Sequence, residues 1–363
     1  MTSVVFAPDS FKGTIGAADA ASALATGWRS VRPDDDAVMR PMADGGEGTL
    51  DAFAAAVPGA LRMPVPVDGP DGEVTEACWL LLPDGTAVVE LASTSGIELL
   101  GDRRLPFDAD TRGFGQAVAA ALDHGVPRLV LGIGSSASTD GGVGLLSALG
   151  ARFADASGER VARGARGLDA LAKVDLSRLR PLPEGGVVVL SDVTNPLLGA
   201  SGAAAVFGPQ KGLDARGVAT ADAGLARLAE LLDADPSAPG AGAAGGTGFA
   251  LLAWGADLVP GSGEVAELIG LAGAVAAASV VITGEGSFDG QSAAGKAPSH
   301  VAALAAAAAV PVALVAGRIA PDADPSAFAA ALSLTDLAGS STAALTDPAR
   351  WLAAAGAQLA RTL

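Results

Sequence analysis

The sequence predicts an α/β protein of two domains. One is a doubly wound parallel sheet of Rossmann or flavodoxin type, and the other is an inserted α/β domain with a mixed sheet. Three observations predict it. Both ends of the chain alternate short apolar strands, polar glycine-bearing loops and helical stretches, the pattern of a largely parallel sheet. The middle holds two apolar runs around the tight turn Pro83-Asp84-Gly85, which signals antiparallel pairing. The length, 363 residues, exceeds the roughly 100–200 residues of one domain. The expected first domain joins residues 1–65 to 270–363, and the inserted domain spans 66–269.

The elements follow in order. Residues 4–7 are an apolar strand, 9–13 a polar loop, 17–28 a helix and 37–39 a strand. A second polar loop, 43–49, leads into a helix over 50–56, and the Pro/Gly-rich segment 58–70 marks the crossing into the inserted domain. Residues 74–82 and 86–91 form the hairpin, 111–124 a helix, and 129–132 and 187–190 buried strands. Lys173 is expected at a solvated helix end, Cys78 as a small core residue, and the Pro/Gly/Ala-rich stretch 235–248 as mobile. Strand 279–283 precedes a long glycine-bearing loop, 284–295. Pro298 suits the first turn of the next helix, followed by strands at 312–316 and 330–334 and a closing helix over 351–363.

Composition narrows the function. The net charge of −17 argues against nucleic-acid partners, which need a basic surface. A single cysteine allows no intrachain disulfide, which fits a reducing compartment. The first ten residues lack a basic n-region and a long apolar run, so no secretory signal is read there, and a cytoplasmic location is expected. The apolar stretch 301–314 is short and broken by Pro311, too short to span a membrane. No membrane partner is expected, and the molecule is expected as a monomer or homodimer.

Chemistry concentrates in five glycine-rich loops, most of them following an apolar strand. They are Ala7-Pro8-Asp9-Ser10-Phe11-Lys12-Gly13-Thr14, Met42-Ala43-Asp44-Gly45-Gly46-Glu47-Gly48-Thr49, the run 132–142, the run 191–197, and Gly284-Glu285-Gly286-Ser287-Phe288-Asp289-Gly290-Gln291 leading to Gly295-Lys296. Ligands of α/β sheets bind beyond the carboxyl ends of strands. Glycine lets backbone N–H groups approach an anion, and neighbouring carboxylates suit Mg²⁺ on nucleotide phosphates. Any one such loop reads equally well as a capped turn; five together point to phosphate and metal chemistry.

The chain has four lysines against nineteen arginines, and Lys12, Lys211 and Lys296 each stand beside a glycine. A compact ammonium suits a phosphoryl group in transit. Residues 290–296 match a P-loop up to the lysine, but Ala297 replaces the magnesium-binding hydroxyl, so a Walker A motif is rejected. Gly132-Ile133-Gly134 begins like a dinucleotide fingerprint without its third glycine, which leaves an NAD-dependent oxidoreductase as a remote alternative. With two histidines and no tyrosine, acid–base work falls to a carboxylate.

Six segments, APDSFKGT, PMADGGEGT, TRGFG, DVTNPLLG, FGPQKG and TGEGSFDGQSAAGK, span residues 7–296. They resemble, in order, the signatures of the type-1 glycerate kinases. The resemblance implies D-glycerate and ATP as substrates, Mg²⁺, phosphoglycerate and ADP as products with the 2-position favoured, and a cleft between two α/β domains as the active site. One segment departs from the family pattern: Ser135 stands in place of a glycine and Thr139 in place of an asparagine. A side chain at 135 is expected to crowd a close backbone approach.

On this basis Asp192 is the candidate for orienting or deprotonating the glycerate hydroxyl, or for a magnesium ligand, with Lys12 and Lys296 stabilising the transferring phosphate. Ser10, Arg112, Ser135, Ser136, Ser138 and Asp140 are the substrate-binding candidates. Gly45, Gly46, Lys211, Gly284, Glu285, Gly286 and Gly295 are the nucleotide-binding candidates. Asp44, Glu47 and Asp289 are the candidate metal ligands. The alternative from another class is a nucleotide- or sugar-acid-binding protein without phosphoryl transfer.

Overall fold

The structure, a computed structural model, describes residues 2–289 and 297–363. Its strands are β1 (Ser3–Pro8), β2 (Asp36–Met39), β3 (Leu61–Asp68), β4 (Val74–Leu81), β5 (Ala87–Glu90), β6 (Leu129–Gly132), β7 (Arg152–Ala154), β8 (Lys173–Asp175), β9 (Val187–Leu190), β10 (Asp257–Val259), β11 (Val280–Phe288), β12 (Val312–Ile319) and β13 (Ala330–Ser333). The chain divides into two compact units: residues 1–43, 51–58 and 262–363, and residues 44–50 and 59–261.

The first unit holds a five-stranded sheet in the order β13-β12-β11-β1-β2, parallel throughout. Counted within the unit, that order is 2-1-3-4-5, the flavodoxin-like arrangement, and its switch point lies between β1 and β11. Val4, Phe6, Ile282 and Val315 are buried here with Leu24 and Trp28. Helices Ala17–Arg29 and Pro348–Thr362 carry apolar residues at helical spacing, and Leu24 and Leu352 join the same core. The two helices approach so closely that a Cβ on Gly356 would sit 2.2 Å from the Leu24 carbonyl oxygen.

The second unit holds a six-stranded sheet in the order β10-β9-β6-β5-β4-β3. The β10, β9, β6 and β5 strands run parallel, and β4 and β3 pair antiparallel to their neighbours. The fully buried run of β6 and the nearly buried β9 are apolar throughout, as strands covered on both faces must be. The β4–β5 turn forms as its sequence dictates: Gly85 takes φ 88°, and Asp84 Oδ1 accepts from Thr86 N at 2.9 Å. A separate two-stranded pair joins β7 and β8.

Four local expectations are corrected. Residues 284–288 are not loop: β11 runs on to Phe288, which pairs with Ile319. Lys173 lies in β8, where its ammonium reaches the Ala156 carbonyl at 2.9 Å. Cys78 is only half-buried, on β4. The stretch 235–248 is built into the fold: Gly245 and Gly246 have φ 67° and 90°, and a Cβ on Gly245 would sit 2.1 Å from the Ser138 carbonyl oxygen. Its glycines serve close approach rather than freedom.

Candidate active site

The site of the second unit starts with the loop 44–50, laid across the carboxyl ends of β6 and β9. Asp44 Oδ1 accepts from Gly46 N at 2.9 Å, and Thr49 Oγ1 donates to the Gly46 carbonyl at 2.7 Å. Gly45, at φ 91°, accepts from Gly134 N at 2.9 Å. A Cβ there would lie 2.3 Å from the Leu190 carbonyl oxygen, so only glycine lets this loop rest on both strand ends.

Glu90, at the carboxyl end of β5 and only 4% exposed, fixes the same loop from below. Its carboxylate accepts from Leu50 N at 2.9 Å and Gly48 N at 3.4 Å, placing negative charge at the start of helix Thr49–Ala56, where it is favoured. The sequence reading missed Glu90; the signal was a lone carboxylate ending the apolar strand Ala87-Val88-Val89.

Asp192 follows β9 and is exposed. Its Oδ1 accepts from Gly261 N at 2.8 Å, and a Cβ on Gly261 would lie 2.3 Å from the Asp44 carbonyl oxygen. The Asp44 and Asp192 loops therefore meet at Gly261. Glu47 is exposed at the outer side of its loop.

After β6 the chain enters the serine loop. Ser135 sits in the left-handed region at φ 59°, a conformation that favours glycine. Its exposed side chain crowds nothing, while its carbonyl accepts from Ile97 N at 2.9 Å. Ser136 is buried, and its Oγ accepts from Lys211 Nζ at 2.7 Å. Lys211 Nζ also donates to the Ser138 carbonyl. Burial lowers the Lys211 pKa to about 7, against the opposing pull of Asp140. The Ser138 and Thr139 hydroxyls are buried without a hydrogen-bond partner.

Asp140 is fully buried and turned inward. It accepts from Thr111 N at 3.0 Å, Thr111 Oγ1 at 2.8 Å, Gly142 N at 3.1 Å and Gly144 N at 3.1 Å. Burial, then Asp110, push its pKa up, while the Thr111 and Gly144 donors pull it down. Arg112, expected at the substrate, gives its Nε to Asp68 at 2.9 Å.

In the first unit, Lys12 is exposed on the tight turn that follows β1, where Phe11 N donates to the Ile15 carbonyl at 2.9 Å. Ser10 N donates to Asp9 Oδ1 at 2.7 Å. Asp9 N joins this turn to β11 through the Gly284 carbonyl at 2.8 Å. Gly284, Glu285 and Gly286 lie within β11, with Glu285 buried, and Asp289 follows the strand. This places Ser10, Lys12 and Asp289 beside the switch point. Gly295 and Lys296 lie outside the described residues. Among the described residues no three His, Cys, Asp or Glu side chains come together as a metal cage, and no helix is long and apolar enough to cross a membrane.

A sequence model described as the glycerate kinase family matches residues 4–363. The chain belongs to the glycerate kinase family. Glycerate 2-kinase of Escherichia coli K12 is 42% identical over 328 residues, covering 88% of this chain and 86% of that protein. Glycerate kinase of Bacillus subtilis 168 is 42% identical over the same shares. A crystal structure from Salmonella typhimurium LT2, described as a candidate glycerate kinase 2, superposes with a TM-score of 0.86 at 38% identity, covering 99% of this chain and 98% of that one. The resemblance read from the six motifs and the α/β class are thus borne out. Family membership makes the chain a kinase, an enzyme that uses ATP.

Proposed function

We propose that the protein transfers the γ-phosphoryl group of ATP to the 2-hydroxyl of D-glycerate, giving 2-phosphoglycerate and ADP. The observation that carries this reading is the meeting of the Asp44, serine and Asp192 loops on the carboxyl ends of β6 and β9, with Gly45 bonded to Gly134 and Asp192 to Gly261. Such strand ends are where α/β sheets take ligands.

Phosphoryl transfer asks chiefly for positioning and charge neutralisation. Asp192 is exposed and has a carboxylate oxygen fixed by Gly261 N; it orients the 2-hydroxyl and takes its proton as the oxygen attacks the γ-phosphorus and the bond to the bridging oxygen of ADP breaks. Ser136, whose oxygen already accepts from Lys211, donates its own proton to the glycerate carboxylate. In this reading Lys211 and Asp140 build the loop rather than touch the ligand. Arg112, tied to Asp68, is given no role at this carboxylate. Lys12 and Lys296 neutralise the transferring group, and the Gly45-Gly46 loop gives the nucleotide close backbone approach.

Mg²⁺ fits these residues: Asp44 is half-buried on a glycine loop, and Mg²⁺ on nucleotides needs only one or two protein carboxylates beside phosphate and water. Asp44 and Glu47, which share one loop, would hold it there; Asp289, in the other unit, is a separate candidate. When bound, it neutralises charge on the phosphate oxygens.

Phosphorus and proton NMR of the product tests the reading. Phosphorus coupled to the C2 proton supports it; coupling to the C3 protons contradicts the 2-hydroxyl assignment.

A further inference from the structure

A cavity of about 160 Å³ in the second unit is lined by Arg112, Arg152, Arg160 and Arg163 and one carboxylate, Asp110. Its apolar wall includes Phe153. Nothing in the proposed phosphoryl transfer uses Arg152, Arg160 or Arg163, and none of the three lies in the motifs that mark the family. In a chain of net charge −17, four guanidinium groups around one cavity run against the general charge balance and call for a local reason.

Local pairing explains part of it. Arg163 grips the buried Asp110 through two nitrogens, one of them at 2.9 Å, and that pairing raises its pKa. Arg112 is tied to Asp68 through Nε alone, which leaves its two terminal nitrogens. Arg152 donates to the Gly158 carbonyl at 2.7 Å and feels Asp175, its neighbour on β8. Arg160 has no hydrogen bond or ion pair among the described residues. Its backbone pairs with Ala154, which sets it beside the end of β7. Arg112 and Arg163 are thus held by buried or half-buried carboxylates, and the exposed Arg152 and Arg160 are able to turn inward.

Guanidinium groups match the planar oxygens of phosphate in forked pairs. The cavity has the volume of about five waters at roughly 30 Å³ each, room for a phosphate group and a short organic stem. We propose that this cavity is a second anion site, binding a small phosphate-bearing oxyanion. Arg112 and Arg163 supply one wall, and Arg152 and Arg160 close on the other.

The test uses the full chain in calorimetric titrations with inorganic phosphate and, separately, with 2-phosphoglycerate, in the presence of saturating D-glycerate. The proposal expects one saturable site that weakens as salt is raised. The double variant Arg152→Gln, Arg160→Gln is expected to lose roughly tenfold in affinity, with an unchanged melting temperature and unchanged ADP release. Tighter binding of 2-phosphoglycerate identifies the ligand class as phosphorylated acids; tighter binding of phosphate identifies the free ion. No saturable binding, the same affinity in the double variant, or displacement of the probe by D-glycerate overturns the proposal. Each of these results leaves the kinase reading standing, because ADP release is measured separately.

Discussion

Lys211 donates to Ser136 Oγ at 2.7 Å from a fully buried position. A hydroxyl oxygen that accepts from an ammonium keeps its own proton for another acceptor. While Lys211 is charged, Ser136 is set to donate outward. Once Lys211 loses its proton, the amine lone pair accepts the Ser136 proton and the hydroxyl turns inward. Burial places that change at about pH 7. The KM for glycerate is therefore expected to rise about tenfold on the alkaline side, the scale of one hydrogen bond to a charged group, while the KM for ATP stays level. Ser136→Ala should have the high KM at every pH. Pre-steady and steady-state kinetics across pH check this, and a normal KM in Ser136→Ala contradicts it.

The same lysine makes stability depend on pH. Its folded pKa, about 7, lies below the unfolded value, so between about pH 7 and 10 the unfolded chain binds more protons. Stability should then rise with pH, by at most about 1.4 kcal/mol per pH unit. Urea midpoints of the wild type and Lys211→Met at pH 7 and pH 9 isolate the term: the difference between the two proteins is expected to shift in favour of wild type as pH rises. An equal response in both contradicts it.

Asp192→Asn tests the base. Asparagine keeps an oxygen for Gly261 N and loses only the charge. Turnover should fall by roughly 10²–10⁴-fold, with ATP binding, followed by a fluorescent nucleotide, close to wild type. A near-normal kcat sinks the role.

Gly45→Ala tests the loop over the strand ends. The left-handed backbone and the approach of Leu190 predict a loss of about 1–3 kcal/mol in urea unfolding. Unchanged stability would mean the loop can lift away freely.

How much of this was legible in the sequence depends on distance along the chain. The strands at 4–7, 129–132 and 187–190 and the hairpin around Asp84-Gly85 follow from apolar runs and turn chemistry, which are local. Glu90 was not legible because its partner Leu50 is 40 residues away. Lys211 in a polar glycine loop reads as exposed; only the loop at Ser136–Ser138, more than 70 residues away, shows it buried. The glycines of 284–286 and 245–246 read as loop or freedom because composition does not separate a glycine that bends from one that admits a neighbour. At Gly284 the neighbour is the Val315 carbonyl oxygen, 2.1 Å from where a Cβ would stand.

The most direct test of the account is glycerate-dependent release of ADP, followed by a coupled assay with ATP, Mg²⁺ and D-glycerate. ADP release is expected to saturate with D-glycerate, to depend on Mg²⁺ and to collapse in Asp192→Asn. ADP release that is absent, or that proceeds at the same rate without glycerate, contradicts it.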